Sequence, residues 1–120
     1  MTAFSFDRED YLFLDGGMGT QLQAAGIQPG EIPELRSVTT PELVQRIHEE
    51  YLRAGANMVY ANTFGLNRLK LEGSGYSVQE VASASARAAR AACGKVSAET
   101  GRVCYVALDI GLTGRLLKPV

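Results

Sequence analysis

Residues 12–20, Leu-Phe-Leu-Asp-Gly-Gly-Met-Gly-Thr, decide the fold class of this chain. A short apolar run ends in the carboxylate of Asp15, and a glycine-rich turn follows before a segment that can begin a helix. At the working face of α/β proteins, a polar group stands at the carboxyl end of a strand, and glycines expose backbone N–H groups beside it. The stretch therefore predicts a strand at 11–14 and a short helix at 20–25.

Two later segments repeat this arrangement of an apolar run with a polar ending. A strand predicted at 57–61 runs into Asn62 and Thr63, and a strand predicted at 103–108 runs into Asp109. The carboxyl ends of parallel strands meet at one edge of a sheet. We therefore expect the three polar endings to face one another.

The longer segments between these strands carry the signals of helices. Pro41 suits the first position of one helix, and Ser77 with Glu80 forms a capping box for a second helix that runs to about Thr100. A further short helix is expected at 66–72. Apolar strands that alternate with helices are typical of parallel sheets with right-handed crossovers. The chain is therefore predicted to be α/β and built from parallel β/α units.

Composition limits the classes of protein to which this chain can belong. The 120 residues favour one domain, and the net charge of −1 argues against nucleic acid as a partner. No apolar run approaches the roughly 20 residues that a membrane span needs, so no membrane partner is expected. Residues 1–10 lack the basic and apolar regions of a signal peptide. The two cysteines lie far apart in sequence, which indicates reduced thiols and a cytoplasmic location.

Several of these motifs together resemble one family, the homocysteine S-methyltransferase domain. They are Leu-Asp-Gly-Gly-Met-Gly-Thr (14–20), Gly-Ala-Asn (55–57), Asn-Thr-Phe-Gly (62–65), Asp-Ile-Gly (109–111) and Thr-Gly (113–114). The likeness runs from residue 11 to the last residue. Met-Gly-Thr and Asn-Thr-Phe-Gly are most similar to the N-terminal, homocysteine-binding domain of the cobalamin-dependent methionine synthase branch.

The resemblance implies an eight-stranded (β/α)₈ TIM-type barrel. On that reading residues 1–10 are an N-terminal tail, and residues 11–120 are an incomplete N-terminal portion with the first three strands. It also implies zinc on three cysteine thiolates, which binds and activates the homocysteine sulfur, and methylcobalamin as methyl donor on another module. The family's Gly-Gly-Cys-Cys-Gly stretch is absent here, so this chain is expected to hold neither metal ligands nor catalytic residues.

The strand ends and the resemblance together select a set of substrate-binding candidates. They are Asp15, Gly16, Gly17, Asn62, Thr63 and Asp109. The glycines would hold an amino-acid carboxylate with backbone N–H groups. A structural alternative stays open for each: the aspartate caps the turn, the glycines permit tight backbone geometry, and the amide and hydroxyl hold their loop.

Three further residues are expected to have structural roles. Cys93 and Cys104 have no cysteine or histidine at ligand spacing, so we predict that they pack as small apolar side chains. His48 lies between apolar neighbours on a predicted helix, and we expect it at the surface or at the boundary of the core.

The sequence thus predicts part of a methyltransferase that moves a methyl group onto homocysteine sulfur to form methionine. The isolated chain is expected to be inactive. Its partners would be homocysteine and either the remainder of the barrel or a second copy bound through strand edges. Two alternatives stay open: a non-catalytic fragment that self-associates, and an unrelated α/β domain that binds a small carboxylate.

Overall fold

A computed structural model describes residues 11–118 of the chain. The expected tail at 1–10 lies outside the described residues, as do 119–120. In chain order the elements are α1 (Met18–Ala24), a 3₁₀ turn (Pro33–Leu35), α2 (Arg36–Thr39), α3 (Pro41–Arg53), β1 (Met58–Tyr60), α4 (Val78–Thr100) and β2 (Tyr105–Ala107).

The strands are parallel, as expected. β1 pairs with β2 in a register that places Met58 opposite Tyr105. The predicted strand at 11–14 is reduced to one parallel bridge between Leu14 and Met58. It is flanked by hydrogen bonds such as the one from the Asp15 N–H to the Met58 carbonyl, at 3.1 Å. Residues 11–118 thus form an α/β fragment with parallel strands, and they do not close into a barrel.

Local sequence signals placed the two long helices correctly. α3 begins at Pro41, and the Ser77 hydroxyl accepts the Glu80 N–H at 3.1 Å at the start of α4. The Glu80 carboxylate accepts the Ser77 N–H in return at 2.8 Å, which completes the predicted capping box. α4 ends at Gly101, whose φ of 74° is the left-handed conformation that favours glycine.

The helix predicted at 66–72 is wrong, because this stretch is a series of turns. The Asn67 side chain accepts the Lys70 N–H at 2.8 Å. Such a local side-chain bond to the backbone competes with helical hydrogen bonding.

The core lies where α3 and α4 pack together over the sheet. One cluster joins both helices to β1, and a second joins α1 to α3 and α4. The first contains Leu52, Val59, Ala89, Ala92, Cys93 and Val96, and the second contains Leu22, Val44, Ile47 and Ala88. Within residues 11–118, no helix combines the length and apolar character that crossing a bilayer requires.

Candidate functional site

The parallel strands bring the predicted polar endings to one side of the sheet. Asp15 follows the bridge at Leu14, Asn62 and Thr63 follow β1, and Asp109 follows β2. We call this carboxyl-end edge, formed by Asp15, Asn62, Thr63 and Asp109, the rim. The rim is a candidate binding site because three separate segments place polar residues at this edge, and the Thr63 hydroxyl contacts the Asp109 backbone.

The Asp15 carboxylate is partly buried at the rim and bonded to β1. Both Asp15 carboxylate oxygens lie 3.3 Å from the Tyr60 N–H, which donates to them and fixes the side chain against β1. Partial burial raises the pKa of Asp15, the Tyr60 N–H opposes that rise, and the negative charge of Asp109 adds to it. The contribution of Asp109 is the smallest of these, so burial is the main cause of the raised pKa of Asp15.

Thr63 joins two loops of the rim. Its side chain is buried, and its hydroxyl donates to the Asp109 carbonyl at 2.7 Å. The Asp109 N–H lies 3.3 Å from the same Thr63 oxygen and donates to it. The hydroxyl therefore ties the loop after β1 to the loop after β2. A direct contact of Thr63 with substrate stays a prediction.

The amide nitrogen of Asn62 is engaged within the protein. Nδ2 donates to the Pro33 carbonyl at 3.0 Å and to the Ser37 hydroxyl at 3.2 Å. The main-chain carbonyl of Asn62 accepts a hydrogen bond from the Ser85 hydroxyl on α4 at 3.0 Å. Asn62 is buried, so these bonds anchor the rim loop to the segment before α3 and to α4. Its contact with substrate also stays a prediction.

The glycine turn is shaped by a tyrosine from α3. The Tyr51 hydroxyl donates to the Gly17 carbonyl at 2.9 Å. A Cβ on Gly16 would lie 2.9 Å from the Tyr51 Oη, which is closer than real side chains approach. Glycine is therefore required at Gly16 by the approach of the ring. Gly16 and Gly17 are exposed, so their backbone remains accessible from solvent.

Sequence reasoning missed Glu34, which lies in the 3₁₀ turn. Its side chain is buried, and its carboxylate accepts the Gly65 N–H at 2.6 Å. The only local signal was a carboxylate beside Pro33. The partner is 31 residues away in sequence, so no periodicity of the chain could identify it.

His48 was expected at the surface or at the boundary of the core, and the structure contradicts this. Its side chain is completely buried, and neither ring nitrogen has a hydrogen-bond partner among the described residues. Burial lowers the pKa of His48 to about 4 from its ordinary value of 6.5. The ring is therefore neutral at physiological pH and belongs to the interior, not to the rim.

The cysteines pack as predicted. Cys93 belongs to the core cluster, Cys104 packs against it, and both are free thiols. Burial raises the pKa of Cys93 to about 11. Cys104 directly precedes β2 and so lies at the strand end opposite the rim. Residues 11–118 contain no group of three or more histidine, cysteine, aspartate or glutamate side chains placed to hold a metal.

Comparison with known proteins gives consistent matches. The sequence profile of the Homocysteine S-methyltransferase family matches residues 12–119. The methionine synthase of Mycobacterium tuberculosis (strain ATCC 25618 / H37Rv) is 42% identical over 59 residues, which is 44% of this chain and 5% of that protein. The methionine synthase of Mycobacterium leprae (strain TN) is 41% identical over 59 residues, with the same shares covered.

Solved structures agree with the sequence matches. The metallated form of the homocysteine methyltransferase MmuM from Escherichia coli superposes with a TM-score of 0.77 and 28% identity, over 90% of this chain and 40% of that chain. Its oxidized form gives a TM-score of 0.75 at 28% identity, over 88% and 38%. The chain thus spans 5% of the curated methionine synthases and 40% of the MmuM structure. With the profile matched over nearly its whole length, the chain belongs to the homocysteine S-methyltransferase family.

Proposed function

We propose that this chain forms the N-terminal, substrate-recognition part of a homocysteine methyltransferase barrel. The parent reaction would transfer a methyl group to homocysteine sulfur and give methionine. The observation that supports the proposal is the placement of Asp15, Thr63 and Asp109 after neighbouring parallel strands, in a chain that belongs to this family.

The chemistry of the rim suits the amino-acid end of homocysteine. The α-ammonium group of an amino acid is a cation that the rim carboxylates of Asp15 and Asp109 would attract. The backbone N–H groups of the exposed Gly16 and Gly17 would donate hydrogen bonds to the α-carboxylate. Asn62 and Thr63 would complete the pocket wall, since their hydrogen bonds hold the loop between the two aspartates.

The described residues do not fit a zinc site. Cys93 is held protonated by burial, and Cys104 lies at the opposite end of the sheet from the rim. No third ligand accompanies them within residues 11–118. We propose that in the parent enzyme the zinc ligands lie outside this chain, and that methylcobalamin on another module is the methyl donor. The free thiols support a cytoplasmic location as part of the same proposal.

Binding of homocysteine to the chain tests the recognition role. Isothermal titration calorimetry compares homocysteine with cysteine, and with acetate as a simple carboxylate. We expect homocysteine to bind more tightly than acetate, and Asp15→Asn or Asp109→Asn to weaken it about tenfold each. Glu72→Gln is the matched control, because Glu72 is exposed and lies outside the rim. Equal binding of acetate and homocysteine would instead favour a small-carboxylate-binding domain.

The expected inactivity of the isolated chain has its own assay. A thiol without its activating metal stays mostly protonated at neutral pH, because a free thiol has a pKa of about 8.5. Methyl transfer from methylcobalamin to homocysteine should therefore stay at background with or without added zinc. Turnover well above background would contradict this part of the proposal.

A second candidate function is assembly through the sheet. The two-stranded sheet is flanked by exposed apolar side chains, including Phe13 at 63%, Leu108 at 66% and Ile110 at 83% exposure. Exposed strand edges and apolar surface favour pairing with a second copy or with the remainder of a barrel. Light scattering across a concentration series tests this candidate, since a strictly monomeric chain with a cooperative melt would exclude self-association.

A further inference from the structure

We infer that Glu34 is a positioning residue for the rim, acting through the backbone of the loop after β1. The inference rests on the proposed function and extends it to a residue outside the rim. Glu34 lies in the 3₁₀ turn Pro33–Leu35, which packs against α4. Its side chain is 6% exposed, so the carboxylate is held inside the protein.

Within residues 11–118, one backbone N–H donates to the carboxylate of Glu34. The Gly65 N–H donates to Oε1 at 2.6 Å. Glu34 forms no ion pair within residues 11–118. An apolar residue at position 34 would leave the Gly65 N–H without this acceptor. The carboxylate therefore fixes the backbone of the loop at residue 65.

Any other residue at position 65 would have to displace the Glu34 carboxylate from its present position. A Cβ on Gly65 would lie 2.6 Å from the Glu34 Oε1. The backbone of the loop can approach the carboxylate only because residue 65 is glycine. Glu34 and Gly65 thus form a matched pair, although neither residue belongs to the set of substrate-binding candidates.

The same segment holds the loop at its other end. Asn62 donates to the Pro33 carbonyl and to the Ser37 hydroxyl, at 3.0 and 3.2 Å. Thr63 lies between the two anchored positions, and its hydroxyl donates to the Asp109 carbonyl at 2.7 Å. The orientation of the Thr63 hydroxyl, and with it the backbone of Asp109, therefore depends on the anchors at both ends of the loop.

Amide resonances of the full chain test this dependence. In ¹⁵N-resolved NMR spectra, Glu34→Ala should shift the Thr63 and Asp109 amide signals as well as that of Gly65. Glu34→Gln keeps one acceptor oxygen and should cause smaller shifts of the same signals. Glu72→Gln should leave all three unchanged. If Glu34→Ala does not fold, the test compares the amide shifts of Thr63, Gly65 and Asp109 in Glu34→Gln with those in Glu72→Gln.

Homocysteine titration separates positioning from a purely structural role. At a temperature where each variant is fully folded, Glu34→Ala should raise the dissociation constant about tenfold, and Glu34→Gln should raise it less. A structural role alone would lower the melting temperature and leave the dissociation constant unchanged. Shifts confined to Gly65, or an unchanged dissociation constant in a folded variant, would overturn the inference. If the wild-type chain binds no homocysteine, the proposed function fails, and the Thr63 and Asp109 resonances alone decide whether Glu34 positions the loop.

Discussion

Burial of His48 makes the stability of this chain depend on pH in a defined window. The pKa of His48 is lowered to about 4 in the folded chain, against an ordinary value of 6.5. Above pH 6.5 the ring is neutral in both states and contributes no pH dependence. As the pH falls from 6.5 towards 4, the unfolded chain takes up a proton that the folded chain does not, so the free energy of unfolding decreases.

The size of this effect follows from the pKa difference. One pKa unit corresponds to about 1.4 kcal/mol, so the loss approaches about 3 kcal/mol near pH 4. That is a large share of the roughly 5–15 kcal/mol that stabilises a typical domain. The chain has a single histidine, so no other imidazole contributes between pH 5 and 6.5.

Urea unfolding of the wild type and of His48→Leu measures the effect. The leucine variant removes the titrating ring and its two unpartnered nitrogens and keeps an apolar side chain of similar size. Between pH 7.5 and 5.0, the wild type should lose about 2 kcal/mol more than the variant does. The leucine variant should also be at least as stable at neutral pH, because it buries no unsatisfied polar atom. Equal pH dependence of the two proteins would refute the placement of His48 in the interior.

Three other changes should lower the free energy of unfolding in the same urea assay. Gly16→Ala places a methyl group 2.9 Å from the Tyr51 hydroxyl oxygen and should cost about 1–3 kcal/mol. Gly19→Ala is the control, because a Cβ there meets nothing within 4 Å. Arg102→Ala removes a guanidinium that donates to the Leu52 carbonyl near the end of α3 and should cost about 1–2 kcal/mol. Ser77→Ala removes the cap of α4 and should cost about 1 kcal/mol. A Ser77→Ala variant as stable as the wild type would contradict a stabilising role of the capping box.

The parts of the fold that the sequence predicted correctly are those with local causes. Each long helix begins at a local signal. For α3 the signal is Pro41, and for α4 it is the pair Ser77 and Glu80, which lie three residues apart. The parallel arrangement followed from the alternation of apolar runs and helices. Strand extents were less accurate, because the pairing of Leu14 with Met58 involves residues 44 apart in sequence.

The errors share a physical reason. The turns at 66–72 depend on a side-chain bond from Asn67 that competes with a helix, and propensity does not show which of the two prevails. The burial of His48 depends on which face of α3 is packed inside the protein. A polar residue type favours the surface, so the sequence did not predict this burial. Glu34 was missed because its partner, Gly65, comes close only after the chain has folded.

The polar groups of the rim divide into two kinds, and this division limits what the chain contributes to catalysis. Asn62 and Thr63 form hydrogen bonds that hold the loops in place. Asp15 and Asp109 place carboxylates at the rim, and a bound cation would offset the burial that raises the pKa of Asp15. An ammonium group is such a cation and a thiol is not, so these residues would recognise the amino-acid end of homocysteine. Activation of the sulfur would then depend on groups outside residues 11–118, and recognition and activation can be tested as separate properties.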